Sequence, residues 1–463
     1  MEQTTISDKT QAGPDAGLQC GLGNEPVEEP FCLPVPENDT LAPARAEAKA
    51  MAESGNRPFV PYQRLFSGEL VYLNPYPRYW CAADGVTPTL SAKIEMAAFR
   101  LRAIDAFEHG AGQWWNNTSV FAKGMKVGDD VLNVPRIPSI VCAGNGDLVA
   151  VCDMRCADSE DLMYGGRITT IFSRSTDGGA TWSAPEVVRA WPWNPGSERW
   201  SASDPSLLAD RDTGTIFCFA NVMEHENGKG RFKDNCLYRH YIGESHDNGK
   251  TWGNFRDITS AVSGMRGIAD AAERQQIFIT SGSGIQLNDG SLVVNCNWVN
   301  QHKAVMIRSA DHGRTWEVFG TPAWPSDENK LVELPDGRLV INARAIAGYG
   351  REIHVSSDCG ATWEWHTDIN LVDPRCNAEV VCCKAADGTP ILAYAGCGQR
   401  RRSTLVLRLS RDNGVSWSER ILDPAKCGYV DVAVLHDGSL GILYESDVFE
   451  RIRYVRIPRE DLV

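Results

Sequence analysis

Four arginines stand in apolar, strand-like surroundings, where a permanent charge needs a reason. Arg136 lies in Val134-Pro-Arg-Ile-Pro-Ser-Ile-Val141, and Arg155 in Val151-Cys-Asp-Met-Arg-Cys156. Arg344 ends Leu339-Val-Ile-Asn-Ala-Arg344, and Arg402 closes the run Arg400-Arg-Arg402 ahead of Leu405-Val-Leu407. A guanidinium stays charged when buried, and its planar fork binds a carboxylate at two points. A single case is accounted for by pairing with a structural Asp or Glu. Several in one domain point to convergence on an anionic ligand.

The elements that must position these arginines announce themselves by repetition. Ser175-Thr-Asp177-Gly-Gly179-Ala-Thr181-Trp182 returns as Ser245-His-Asp247-Asn-Gly249-Lys-Thr251-Trp252. The same spacing recurs at Ser309, Asp311, Gly313, Thr315 and Trp316, and at Ser356, Asp358, Gly360, Thr362 and Trp363. A fifth copy, Ser410, Asp412, Gly414, Ser416 and Trp417, has Ser in place of Thr. The copies start roughly 50 to 70 residues apart, the range of repeats that build solenoids and propellers. Each follows an alternating apolar run such as Ile168-Thr-Thr-Ile-Phe172, so each marks a turn at a strand end. Asp can accept backbone N–H groups across such a turn, Gly can take φ > 0, and Trp can bury its ring against the next strand. The boxes are therefore structural, and the unrepeated residues between them are the ones to read for chemistry. Asn288-Asp-Gly290, Pro335-Asp-Gly337 and His436-Asp-Gly438 each separate two apolar runs as hairpin turns do. Together these signals predict an all-β chain of four-stranded blades.

The chain has 463 residues, 43% of them hydrophobic, with 14 Trp and 42 Gly, which suits a large all-β core with many turns. Its formal charge of −14 disfavours nonspecific binding to nucleic acid or to an anionic membrane. No apolar run approaches the length of a transmembrane helix, and no apolar leader follows the first charges. The 15 cysteines show no Cys-x-x-Cys and no zinc spacing, so the expectation is free thiols and a reducing cytoplasmic setting. Residues 1–58 are polar and rich in Pro, Gly and Ala, and read as a disordered tail, with one short helix expected over 42–52. Residues 59–113 read as an extension with an amphipathic helix from Ser91, on which Ile94, Ala98, Leu101, Ile104 and Phe107 share a face. Residues 114–463 carry the strand and turn pattern.

The repeats resemble the Asp-boxes of sialidases and related propellers. Other motifs sharpen the likeness: Arg136-Ile-Pro138, Asn342-Ala-Arg344 after Glu328-Asn-Lys-Leu-Val-Glu-Leu334, and Tyr429-Val-Asp-Val-Ala433 ahead of Leu443-Tyr-Glu445. Over about Ser119 to Val463 the chain is similar to bacterial-type exo-α-sialidases. The resemblance implies a six-bladed β-propeller in which the blade joining the two chain ends lacks a box. It implies that Arg136, Arg344 and Arg402 grip a sugar carboxylate, with Arg401 as the alternative to Arg402, and that Glu445 orients Arg136. Tyr429 would be the nucleophile, Glu328 its base, and Asp161 the acid/base, with Asp158 as alternative because the loop after Leu162 is longer than the family's usual. Arg155 and Asp204 would line the sugar site. Pro135 departs from the family pattern, which has an aromatic there. A neutral phenol suits attack on an anomeric carbon that bears its own carboxylate, because an Asp or Glu nucleophile would be repelled. The implied substrate is a sialylated glycan, hydrolysed with retention and with no metal or organic cofactor. A Kdn-preferring 2-keto sugar hydrolase, a trans-sialidase, or a non-catalytic sialic-acid-binding propeller uses the same framework.

Overall fold

The computed structural model describes residues 62–64, 70–72 and 118–463, apart from 157–160, 163–165, 193–199, 225–237, 264–276, 347–349, 400, 424 and 426. The chain divides into two units, Met1–Met96 and Ala97–Val463. In the first, Tyr62–Arg64 pairs antiparallel with Leu70–Tyr72, with Tyr62 opposite Tyr72. The helices expected over 42–52 and from Ser91 lie outside the described residues.

The second unit is a six-bladed β-propeller. The innermost strands are Val134–Cys142, Trp200–Ala209, Ile277–Ile279 with Ile285–Gln286, Asn329–Glu333, Glu379–Lys384 and Cys427–Val434. Each pairs antiparallel with the next strand through a tight turn, as at Asn288-Asp-Gly290, Pro335-Asp-Gly337 and His436-Asp-Gly438. The sixth blade takes its first three strands from Cys427–Val434, Leu440–Ser446 and Arg451–Ile457. Its outermost strand is Thr118–Ala122, from the other end of the unit, so the two ends of the ring are hydrogen-bonded together.

The boxes sit where the third strand of a blade turns into the fourth. In the sixth blade that turn does not exist, because the fourth strand arrives from elsewhere in the chain; that is why there are five boxes for six blades. In the first box the Ser175 hydroxyl donates to Asp177 at 2.7 Å and accepts from Gly179 N at 2.8 Å. Asp177 in turn accepts from Thr181 N at 2.9 Å and from the Thr181 hydroxyl at 2.5 Å. The tryptophan does something the local pattern did not reveal. It packs on the preceding blade, not on the next strand of its own. Trp182 meets Tyr454 edge-on at 5.4 Å, Trp252 meets Phe172, and Trp316 meets Phe219. Gly179, at φ +95°, also makes room for that neighbour: a Cβ there would lie 1.9 Å from the Tyr454 ring. The box is thus a rivet between blades as well as a staple within one.

Apolar clusters fill all six interfaces between neighbouring blades. At the closing interface Val120 and Phe121 from the first strand lie with Ile140, Leu148, Leu443 and Ile452, all of them buried. Each such side chain contributes about 1.5–3 kcal/mol relative to exposure, which favours a closed ring over an open, edge-exposed array. The channel is plugged at mid-depth by polar groups. Lys330 pairs with Glu379 at 3.3 Å, and Asp431 accepts from Ile140 N at 2.7 Å and the Ser283 hydroxyl at 2.6 Å. No helix among the described residues is long and apolar enough to cross a membrane. The described cysteines are all free thiols.

The box aspartates make the fold acid-sensitive in a defined window. The hydroxyl at Thr181, Thr362 or Ser416 is foremost in holding Asp177, Asp358 and Asp412 down to about 2. Asp247 and Asp311 reach the same value although burial opposes it. A depressed folded pKa stabilises fully above the unfolded value of about 4 and is lost as pH falls towards about 2. Asp177→Asn should therefore cost about 1 kcal/mol at pH 7, a charge-assisted bond discounted for exposure, and almost nothing near pH 2. Thermal or urea unfolding at the two pH values checks this; an equal gap at both would contradict it.

Candidate active site

At the end of the channel where the innermost strands begin, one phenol is ringed by three guanidiniums. Tyr429, third residue of its strand, donates its hydroxyl to Glu328 at 2.7 Å and accepts from Arg344 at 3.1 Å. The guanidinium carbons of Arg136 and Arg402 each lie 5.4 Å from the centre of its ring. The phenol is 6% exposed. Burial first, and then the Glu328 charge, push it well above the ordinary phenol range, while Arg344, Arg402 and Arg136 pull the other way.

Arg136 is fixed from behind by Glu445, which lies on the second strand of the sixth blade and is fully buried. One carboxylate oxygen accepts from Arg136 Nε at 2.7 Å and from Ile137 N at 2.9 Å. The other accepts from Tyr429 N at 3.0 Å. The strand bulges between Arg136 and Ser139, and Ile137 sits at φ +59°, a costly conformation for a β-branched residue. The bulge turns the Ile137 amide towards Glu445. Gly428 makes the same approach possible on the other side, since a Cβ there would fall 2.2 Å from Glu445 Oε2.

Arg344 follows the strand Leu339–Ala343 and pairs with Glu328 at 2.8 Å and Asp327 at 3.4 Å. Its backbone is held by a second, purely internal ion pair. Arg351 binds Asp373 at 3.0 Å, and Asp373 accepts from Ala345 N at 2.8 Å and Cys376 N at 3.0 Å. Arg402 donates to the Arg375 carbonyl at 2.8 Å, on the same braced loop. Arg402 thus faces the phenol, whereas Arg401 is exposed.

Arg155 serves the acidic side of the site. It binds Asp161 at 2.7 Å and Asp153 at 3.1 Å. The Asp161 carboxylate is 55% exposed, so it faces the opening, while Asp153 is fully buried. Asp153 also accepts from the Ser203 hydroxyl at 2.6 Å and from Asp204 N at 3.1 Å. Burial pushes Asp153 up to about 6 against the pull of Arg155. Asp204, half-buried at φ +54° beside a second strand bulge, is raised well above the usual carboxylate range by burial and then by Asp153. In its protonated form such a carboxyl is an O–H donor, and ionised it only accepts.

The structure thus brings Arg136, Arg344, Arg402, Tyr429, Glu328 and Glu445 into one network, with Arg155, Asp161 and Asp204 in a second. Asp158 lies outside the described residues. Asp153, Ser203, Asp327 and Gly428 are additional members. Asp153 was findable, because residues two apart on a strand share a face and Asp153-Met-Arg155 pairs opposite charges. Ser203 and Asp327 carried no comparable signal. A cavity of about 460 Å³ at the other end of the channel, lined by Ile140, Leu331, Val380 and Val432, contains none of these residues.

Glu445 and Asp161 should separate by their effect on folding. Removing one partner of a buried ion pair costs about 3–5 kcal/mol, whereas Asp161 is itself largely exposed and the buried Arg155 keeps Asp153 as a partner, so its loss costs about 0–1 kcal/mol. Glu445→Gln should therefore destabilise by about 3 kcal/mol and Asp161→Asn by less than about 1 kcal/mol in urea unfolding. Equal losses would show that Glu445 does not carry the site.

Comparison with known proteins identifies the family. The family described as BNR repeat-like domain matches residues 165–442. A sialidase of Micromonospora viridifaciens is 34% identical over 334 residues, covering 67% of this chain and 49% of that protein. This chain therefore spans about half the length of that relative. Among solved structures, a Hadza microbial sialidase superposes with a TM-score of 0.65 at 28% identity, covering 74% of this chain and 69% of that one. A leech intramolecular trans-sialidase superposes with a TM-score of 0.59 at 18% identity, over 74% of this chain and 71% of that one, and shows the shared fold. With five Asp-boxes on a six-bladed propeller and these relatives, the chain belongs to the sialidase family with BNR repeats.

Proposed function

We propose that this protein is a retaining exo-α-sialidase that releases terminal sialic acids through a tyrosine nucleophile. The observation that carries the reading is the Tyr429 hydroxyl, 2.7 Å from Glu328 and 3.1 Å from Arg344, inside a ring of three guanidiniums. Arg136, Arg344 and Arg402 hold the substrate carboxylate. That fixes the anomeric carbon beside the phenol, and the positive ring lowers the energy of the phenolate as it forms.

In the first step the Tyr429 oxygen forms a bond to the anomeric carbon as its proton passes to Glu328. The bond to the leaving oxygen breaks, and Asp161 protonates that oxygen. In the second step Asp161 takes a proton from water, the water oxygen bonds to the anomeric carbon, and Tyr429 leaves with the proton returned by Glu328. Two displacements restore the original configuration. Arg155 keeps Asp161 in place, and Asp204 contacts the ring substituents.

Assays with synthetic aryl glycosides of Neu5Ac and Kdn, with the products followed by NMR, test the reading. The α-sugar should appear first; a 2,7-anhydro product or a new glycoside would show transfer in place of hydrolysis. Tyr429→Phe removes only the phenolic oxygen and should lower turnover by about a thousandfold or more while leaving affinity much less changed. Arg344→Ala should damage binding and turnover together, because Arg344 also contacts the Tyr429 hydroxyl and Glu328. Asp161→Ala should recover best on substrates with good leaving groups, which need less protonation. A folded Tyr429→Phe protein with near-normal turnover would sink the assignment.

A further inference from the structure

The network around Arg136 includes one group that the reaction scheme does not use. The ring of Phe449 lies over the Arg136 guanidinium, its centre 4.3 Å from the guanidinium carbon. The Tyr429 ring lies 5.4 Å from the same carbon. Arg136 Nε is taken by Glu445, and among the described residues the two terminal nitrogens make no hydrogen bond to protein. The fork that would meet a carboxylate is thus left open, while an aromatic ring covers the guanidinium.

Phe449 is held there against its backbone preference. It sits at φ +66° and Asp447 at φ +50°, both in the left-handed region that residues other than glycine enter seldom. The Asp447 carboxylate binds Arg453 at 2.7 Å and Arg451 at 3.7 Å, and Lys123 N donates to the Glu450 carbonyl at 2.9 Å. One hairpin therefore supplies both Glu445, which fixes Nε, and, four residues later, the ring that covers the guanidinium. Strained backbone persists where surrounding contacts over-determine it, and such places cluster at binding sites.

We propose that Phe449 is a positioning residue for Arg136: its ring fixes the guanidinium by cation–π contact and keeps water off it, so that the open fork binds the substrate carboxylate. This rests on the sialidase reading above. The contact acts on the carboxylate clamp, which is engaged in both ground and transition states. Its loss should appear in KM and leave kcat almost unchanged.

The test compares Phe449→Ala, Phe449→Leu, Phe449→Tyr and Phe449→Trp in the full chain. Readouts are steady-state kinetics on an aryl Neu5Ac glycoside and calorimetric binding of 2-deoxy-2,3-didehydro-Neu5Ac, with thermal unfolding as the folding control. A desolvated cation–π contact corresponds to about a tenfold change in affinity. Phe449→Ala should raise KM and the inhibitor Kd by about tenfold, with kcat within about threefold of the parent. Phe449→Leu, which keeps apolar bulk but no ring, should behave like Phe449→Ala. Tyr and Trp should restore affinity to within about twofold or threefold. Parent-like KM and Kd in Phe449→Ala, or full rescue by Leu, would overturn the proposal while leaving the sialidase reading intact. A parent protein that neither turns over the glycoside nor binds the inhibitor would overturn both.

Discussion

The carboxylate of Glu445 is the constraint on which the site depends. It ties Arg136 and Ile137 of the first blade to Tyr429 of the sixth, across the junction where the ring closes. A fully buried carboxylate is tolerated only with its charge matched and its lone pairs filled, and here a guanidinium and two backbone amides do both. The same contact that neutralises Glu445 therefore fixes the position of an arginine and the strand that carries the phenol. Closure of the propeller and assembly of the site are one event. The closing strand Thr118–Ala122 and its cluster around Phe121 supply the apolar part of that event, and Glu445 supplies its polar part.

An acidic chain has to build a positive pocket against its own field. It does so locally, by giving each arginine a partner that leaves part of the guanidinium available. Glu445 takes only Nε of Arg136, the Arg375 carbonyl takes one nitrogen of Arg402, and Glu328 shares Arg344 with the phenol. Arg136 and Arg344 thus satisfy both explanations of a buried arginine at once: each is matched by a carboxylate, and with Arg402, held by a carbonyl, they still converge. Backbone strain at Ile137 and Asp204 is the local cost of this arrangement, since regular strands would direct the Ile137 amide and the Asp204 carboxyl elsewhere.

The boxes hold the framework at the other end of the strands. Because the third strand runs parallel to the first, a box at its end lies on the face away from the phenol. Each box ties its own turn through Ser and Asp, and its Trp reaches the preceding blade. The site face is thereby left free for irregular connections such as 324–328 and 373–377, which carry the groups around Arg344 and Arg402.

What the sequence determined by itself was local or periodic. A repeated Ser-x-Asp-x-Gly-x-Thr-Trp with alternating apolar runs fixes turn chemistry and the four-stranded blade, because both are encoded within a few residues; the count of six came from the resemblance, since the sixth blade has no box. Isolated arginines in apolar strands signalled an anion site for the same reason: a charge there violates the pattern of its own segment. Motif resemblance then pointed to Tyr429, Glu328 and Glu445. The tertiary structure alone decided which groups meet. Choosing Arg402 over Arg401 required the path of the connection before Leu405, and the Trp182–Tyr454 contact required the neighbouring blade. Gly428 and Phe449 had no periodic signature, since their roles depend on close approach to Glu445 and Arg136. Contacts between residues about 300 positions apart, such as Arg136 with Glu445, are set by ring closure, and no local pattern contains that information.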